Sequence, residues 1–296
     1  MTIAAGFVAS DGIVLCADTL YTDGQTKEYR DKIFSWEGLR TFVGFAVAGH
    51  ATIGRMVVDD CRDALDGLRR KGLSMSSILA TIRPIIKRTY EQYVDTRPLE
   101  ERAASDFWLL IAISTQAEKF RLYSSVRASL SRIDTFECVG IGRQLGRYII
   151  DPTYHQGMTV DEVALLGVHA LASAKERVDG VGGRSQFVAV KDGFVSPIAP
   201  HNFDDADDYI LEYRGMTARL LLDIANKDLT EDGFGLQLAL FGRKVHDMRK
   251  AWNFEAEPWR MLLDSLRGRR AVKIPNINVT IKVPPNPQPP TTDPKR

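Results

Sequence analysis

Cysteine is scarce in this 296-residue chain, which has only Cys16, Cys61 and Cys138, each set among apolar neighbours. So few, and an odd number, exclude a disulfide framework and point to buried free thiols in a reducing compartment; the expected location is cytoplasmic. A surplus of either charge is also missing: 39 Lys and Arg stand against 38 Asp and Glu, leaving +1. That balance gives no basis for binding nucleic acid or an acidic membrane. No apolar run approaches the roughly 20 residues that span a bilayer. The first residues lack the basic and apolar regions of a signal peptide, so a chain without a leader is expected. The cysteines and the 5 His show no metal-ligand spacing, so neither metal nor cofactor is expected. No internal repeat is evident. What remains is a globular chain, 44% apolar and 26% charged, long enough for a sizeable core in one large domain or two smaller ones.

The most informative stretch lies at the start. Apolar runs over 3–9 and 13–17 flank Ser10-Asp11-Gly12, a hairpin signal in which Gly12 would supply positive φ. Asp18 ends the second run, and Lys32 precedes the apolar pair Ile33-Phe34. Thr2 follows the initiator Met1 and is small enough for that Met to be excised. The new terminus would carry a γ-hydroxyl and a free α-amine on one residue. A hydroxyl needs an adjacent base to attack at neutral pH. An α-amine, with a reference pKa of about 7.7–8.0, can be that base. An ammonium at Lys32 would stabilise developing alkoxide and keep the amine neutral. At about 4 Å and an effective dielectric near 20, such an attraction is on the order of 4 kcal/mol. Asp18 would balance and aim Lys32. Singly, each residue has a plainer reading: a common second residue, a turn aspartate, a solvated edge lysine. The ordered set is far more specific.

Thr2, Gly6, Asp11-Gly12, Ala17-Asp18 and Lys32-Ile33 occur in the order found at the start of mature proteasome β subunits and their simpler bacterial relatives. The chain resembles that family over about residues 2–197, most specifically in the first fifty. The segment between Asp18 and Lys32 is about two residues shorter than in the relatives. The resemblance implies an α+β fold, a four-layer αββα sandwich of the N-terminal-nucleophile type. It makes Thr2 the nucleophile, Asp18 and Lys32 its supports, and the backbone N–H of Gly49 the oxyanion donor. Asp179 becomes the loop carboxylate bracing the amine end. Tyr21, Thr22, Arg30, Val47 and Ala51 are expected to line the substrate side-chain pocket. Two departures stand out: Ile141 and Gly182 occupy positions where the relatives carry supporting serines.

Strands are read at 33–36, 40–47 (after a turn at Glu37-Gly38-Leu39), 106–114, 119–124, 128–132 and 134–139. Helices are read at 50–70, 75–95 with Pro84 inside, after Val139–Gly146, and at 159–178 behind a Thr159/Glu162 capping box. Gly140-Ile141-Gly142 lacks the spacing and context of a dinucleotide loop. A strand at 185–190, a turn at 191–193 and Phe194-Val195 follow. The expected division is a nucleophile-hydrolase domain at 1–200, a helical appendage at 201–270 and an extended Pro-rich tail at 271–296, with an edge strand near 279–283. The expected activity is cleavage of peptide bonds through an acyl-enzyme. Its substrate is a peptide or unfolded protein, and its setting is a homo-oligomeric ring or helical stack, served by an ATPase unfoldase. Two alternatives stand beside it. One is a catalytically silent structural subunit, favoured by the missing serines; the other is a small-molecule amidase using the same nucleophile.

Overall fold

The computed structural model describes residues 2–23, 26–68, 73–191, 194–198 and 204–267. The expectations for Met1, for the centre of the turn at 191–193 and for residues 268–296, including the strand near 279–283, lie outside the described residues. Two five-stranded antiparallel sheets stack face to face. In one, β1 (Ile3–Ala9) lies between β10 (Phe136–Gly140) and β2 (Gly12–Asp18), followed by β11 (Ser185–Lys191) and β12 (Phe194–Ile198). The other runs β5 (Ile33–Gly38), β6 (Thr41–Gly49), β7 (Phe107–Thr115), β8 (Phe120–Val126) and β9 (Ser129–Ile133). Strict alternation along the central strands explains this stacking, because successive side chains leave a strand on opposite faces. In β2, Ile13, Leu15 and Ala17 pack between the sheets, while Val14 and Cys16 face the outer helices. In β7, Leu110 and Ala112 face the first sheet, while Leu109, Ile111 and Ile113 face the other helical layer.

Helices cover both outer faces, completing the expected four layers. On the second sheet lie α1 (Ala51–Asp66) and α2 (Met75–Thr89), the latter continuing through a π-helical turn, Tyr90–Val94, and ending before a short α3 (Leu99–Ser105). His50 caps α1, its Nδ1 accepting from the Ile53 N–H at 3.3 Å. The first sheet is covered by α4 (Arg143–Ile150) and α5 (Val160–Arg177). The capping box at the start of α5 forms as read: Thr159 N–H donates to Glu162 Oε2 at 2.7 Å.

The residues beyond 203 form two long helices, α6 (Asp204–Asp223) and α7 (Glu231–Arg267). α6 docks on α5: Ile210 joins the core there, Lys175 pairs with Asp207 at 2.5 Å, and Arg214 pairs with Glu176 at 2.7 Å. The three cysteines are buried and unpaired. Among the described residues no helix is long and apolar enough to cross a membrane.

Two local readings need correction. The β1–β2 turn is Ser10-Asp11, and Gly12 does not take a positive φ. Gly12 is required for close approach instead, since a Cβ there would stand 2.3 Å from the Val190 carbonyl oxygen on β11. The β5–β6 turn is Leu39-Arg40, with Arg40 at φ 52°, so the following strand starts at Thr41 rather than residue 40.

Candidate active site

The opening strand carries the site at its N-terminal end. β1 is fixed on both edges, with Ile3 opposite Gly140 and Ala4 opposite Val139 on one side and Ala17 on the other. Thr2 therefore emerges from the middle of a sheet, and its side chain is fully buried. Asp18, at the end of the neighbouring β2, turns its carboxylate towards it. Thr2 Oγ1 donates to Asp18 Oδ1, and Lys32 Nζ donates to Thr2 Oγ1. Lys32 Nζ also reaches Asp18 Oδ1 at 2.7 Å and the Leu20 carbonyl at 2.5 Å. All three side chains have no solvent-accessible surface. None of these contacts uses the Thr2 nitrogen.

Lys32 is held from three directions. Its N–H donates to Gln186 Oε1 on β11 at 2.8 Å, and its carbonyl accepts from the Val47 N–H on β6 at 2.8 Å. The chain between Asp18 and Lys32 folds into a ribbon, β3 (Leu20–Asp23) against β4 (Thr26–Tyr29), which returns Lys32 to the start of its own loop. The Tyr21 ring lies 4.5 Å from Lys32 Nζ. Burial drives the Lys32 pKa down from 10.5 to about 8, against the opposing pull of Asp18. Near neutrality the amine therefore still carries its proton, but holds it loosely. The same burial, reinforced by Asp18, raises the Tyr21 phenol and keeps it neutral.

Asp18 anchors the whole corner. Its Oδ1 also accepts from the Ile3 N–H at 3.1 Å, while Oδ2 accepts from Leu20 N–H at 3.2 Å and Gly182 N–H at 3.0 Å. A buried carboxylate met by this many donors is held in position.

Gly140 and Gly142 were not singled out by the sequence as parts of the site, yet both seat Thr2. Gly140 lies at φ 92°, and a Cβ on it would stand 2.3 Å from the Thr2 carbonyl oxygen. Gly142 N–H donates to that same carbonyl at 3.3 Å. The Gly-x-Gly pattern was the available signal; it is a backbone seat rather than a phosphate loop. Ile141 between them is half exposed.

Gly49 ends β6 at φ 90°, directly before the cap of α1 and two residues from Val47, which is bonded to Lys32. Asp179, in contrast, is exposed in its turn and makes no hydrogen bond to Thr2. The loop reaches the site through the Gly182 backbone, whose N–H donates to Asp18 Oδ2 at 3.0 Å.

Beside the Lys32–Tyr21 contact opens a cavity of about 820 Å³. Tyr21, Arg30 and Ala51 line it as expected, joined by Thr19, Tyr29, Asp31, Phe34, Arg55, Gly183 and Arg184. Val47 and Thr22 do not line it. Val47 faces the helices with Val43 and Phe45, as alternation along β6 requires, and packs near Gly54. Thr22 keeps a buried hydroxyl with no hydrogen-bond partner among the described residues.

A threonine hydroxyl held between a cation and a carboxylate at a strand end, with Tyr21 linking the cation to the cavity, is suited to acyl transfer. Comparison with known proteins gives a family and a fold. A family model described as proteasome subunit matches residues 2–190. A proteasome subunit β from Methanosphaera stadtmanae is 24% identical over 198 residues, covering 65% of this chain and 88% of its own. Among solved structures, Anbu from Yersinia bercovieri, described as an ancestral β-subunit, superposes with a TM-score of 0.61 at 14% identity, over 76% of this chain and 97% of that one. A mutant of Anbu from a Hyphomicrobium species gives 0.64 at 15% identity, over 75% and 97%. These two likenesses show the fold, the four-layer αββα sandwich. The family match, residues 2–190, takes in β1 to β10, nearly all of β11, and Thr2, Asp18 and Lys32, and by it this chain belongs to the proteasome subunit family, a family of peptidase kind.

Proposed function

We propose that this chain is an N-terminal-threonine peptidase that hydrolyses peptide bonds through an acyl-enzyme once Met1 is removed. The observation that carries this reading is the convergence of Lys32 Nζ and Asp18 Oδ1 on the buried Thr2 Oγ1. Thr2 Oγ1 attacks the substrate carbonyl, forming an oxygen–carbon bond. The freed α-amine accepts the hydroxyl proton and returns it to the leaving amine as the peptide C–N bond breaks. The Lys32 ammonium steadies the oxygen as it gains negative charge, and Asp18 fixes that ammonium. The Gly49 N–H, at the N-terminal end of α1, receives the carbonyl oxygen as it becomes an oxyanion. Water then attacks the ester and restores the hydroxyl. The cavity at Tyr21, Arg30 and Ala51 receives the side chain preceding the cleaved bond. In keeping with its family, the subunit works in a homo-oligomer, as a closed ring or a helical stack, on peptides or on chains delivered by an ATPase unfoldase.

The family resemblance also leaves room for a second reading, a silent structural subunit, since by it Ile141 and Gly182 take the places of supporting serines. A single comparison separates the two. Intact mass identifies whether Met1 is absent, and fluorogenic peptides are then offered to wild type and Thr2→Ala. The peptidase reading expects a chain lacking Met1 and a loss of turnover of about 10⁴-fold or more in the variant. A retained Met1 with no turnover supports the silent subunit, and equal turnover in both proteins removes Thr2 from the chemistry.

A further inference from the structure

The cavity at Tyr21 is rich in guanidinium groups: among the described residues Arg30, Arg55 and Arg184 line it, against one carboxylate, Asp31. That carboxylate is engaged, since Gln186 Nε2 donates to Asp31 Oδ1. Arg30 pairs with Glu28 at 2.6 Å and Arg55 with Asp59 at 2.7 Å, but both pairs are about half exposed. Exposed pairs of this kind hold their partners weakly and exchange them readily. Arg184 differs from both. Among the described residues its side chain has no carboxylate partner, while its backbone is fixed by Arg184 N–H donating to Thr19 Oγ1 at 2.9 Å. The Phe34 ring lies 4.4 Å beneath the Arg55 guanidinium, which braces that group at the cavity wall.

We infer that this cavity selects peptides carrying a glutamate or aspartate immediately before the cleaved bond, with Arg184 as the principal specificity-determining residue and Arg55 as its support. The inference rests on the peptidase reading for the identity of the cavity, and adds the class of side chain it accepts. A carboxylate there meets a planar donor fork that no acid among the described residues occupies, and bidentate pairing with a guanidinium favours a carboxylate over the isosteric amide. A lysine or arginine side chain meets like charge and is excluded.

Two measurements test this separately from the chemistry. Turnover is compared for blocked fluorogenic peptides identical except for Glu, Gln, Leu or Lys before the reporter. Binding is measured with Thr2→Ala protein and the blocked Glu and Gln peptide amides, which requires no cleavage. The expected result is kcat/KM about tenfold higher for Glu than for Gln, lower still for Lys, and tighter binding of the Glu peptide by a similar factor. Raising salt from 50 to 500 mM shrinks the preference. Arg184→Gln brings the Glu and Gln peptides together, and Arg184→Glu favours Lys. If wild type cleaves nothing, the peptidase reading fails while the binding preference still decides the cavity. Equal binding of Glu and Gln peptides, or a preference unmoved in Arg184→Gln, overturns the inference.

Discussion

The same chemical pair, a cation beside a carboxylate, occurs around this site in two opposite surroundings. Lys32 and Asp18 meet at 2.7 Å with neither side chain exposed; Arg55 and Asp59 meet at the same distance with both about half exposed. Distance alone therefore does not decide what a pair does. In the buried case, neither group can turn to water, so each is fixed by the other and by Thr2, Leu20 and Gly182. Taking such charges out of solvent is costly, and their attraction largely offsets that cost without large net stabilisation. What burial secures is position and a softened amine. In the exposed case water competes for both partners, and the guanidinium remains available to an incoming ligand.

Removing one partner separates the two surroundings most sharply. Lys32→Met leaves Asp18 as an uncompensated buried charge, and should cost about 3–5 kcal/mol of stability in denaturant titration. It should also lower kcat/KM by about 10²–10³-fold, because the oxygen loses its cation as charge develops. A variant as stable and active as wild type would show that the pair is ornamental. A pH titration sharpens the comparison with a smaller effect. The folded protein holds the Lys32 amine at about 8, below its usual 10.5. Between those values the unfolded chain carries more protons, so stability rises with pH there. Turnover moves the opposite way, climbing as the α-amine deprotonates below about 8 and falling as Lys32 loses its charge above it. Activity that stays level to pH 10 would remove the ammonium from the mechanism. The smallest effect belongs to the exposed pair: Asp59→Asn should change stability by less than about 1 kcal/mol, read by the same denaturant titration.

Much of this arrangement is legible in the sequence where side-chain pattern decides it. The continuous apolar runs of β2 and β7, the Thr159/Glu162 box and the helical stripe of α1 each follow from residue type. Thr2, Asp18 and Lys32 are legible as an ordered set, and the structure brings them together. Other features escape because backbone atoms carry them. Gly182 contributes an N–H, which any residue but proline has, so the sequence directed attention to the Asp179 carboxylate that in fact faces solvent. The seat made by Gly140 and Gly142 acts on the Thr2 carbonyl across two strands far apart in the chain. The β4 strand, Thr26–Tyr29, is exposed throughout and so has no apolar alternation to announce it. Val47 is a different case. Its neighbours Val43 and Phe45 already fix the face it takes, and position in the family motif outweighed that periodicity.

The placement of β1 has one more consequence. The segment bearing the attacking oxygen is an interior member of its sheet, bonded along both edges and covered on both faces. Many enzymes mount their reactive groups on loops that fray or close independently of the scaffold. Here no such independent unit exists: loosening the nucleophile means tearing the sheet down its middle, so competence and foldedness are a single cooperative property of the chain.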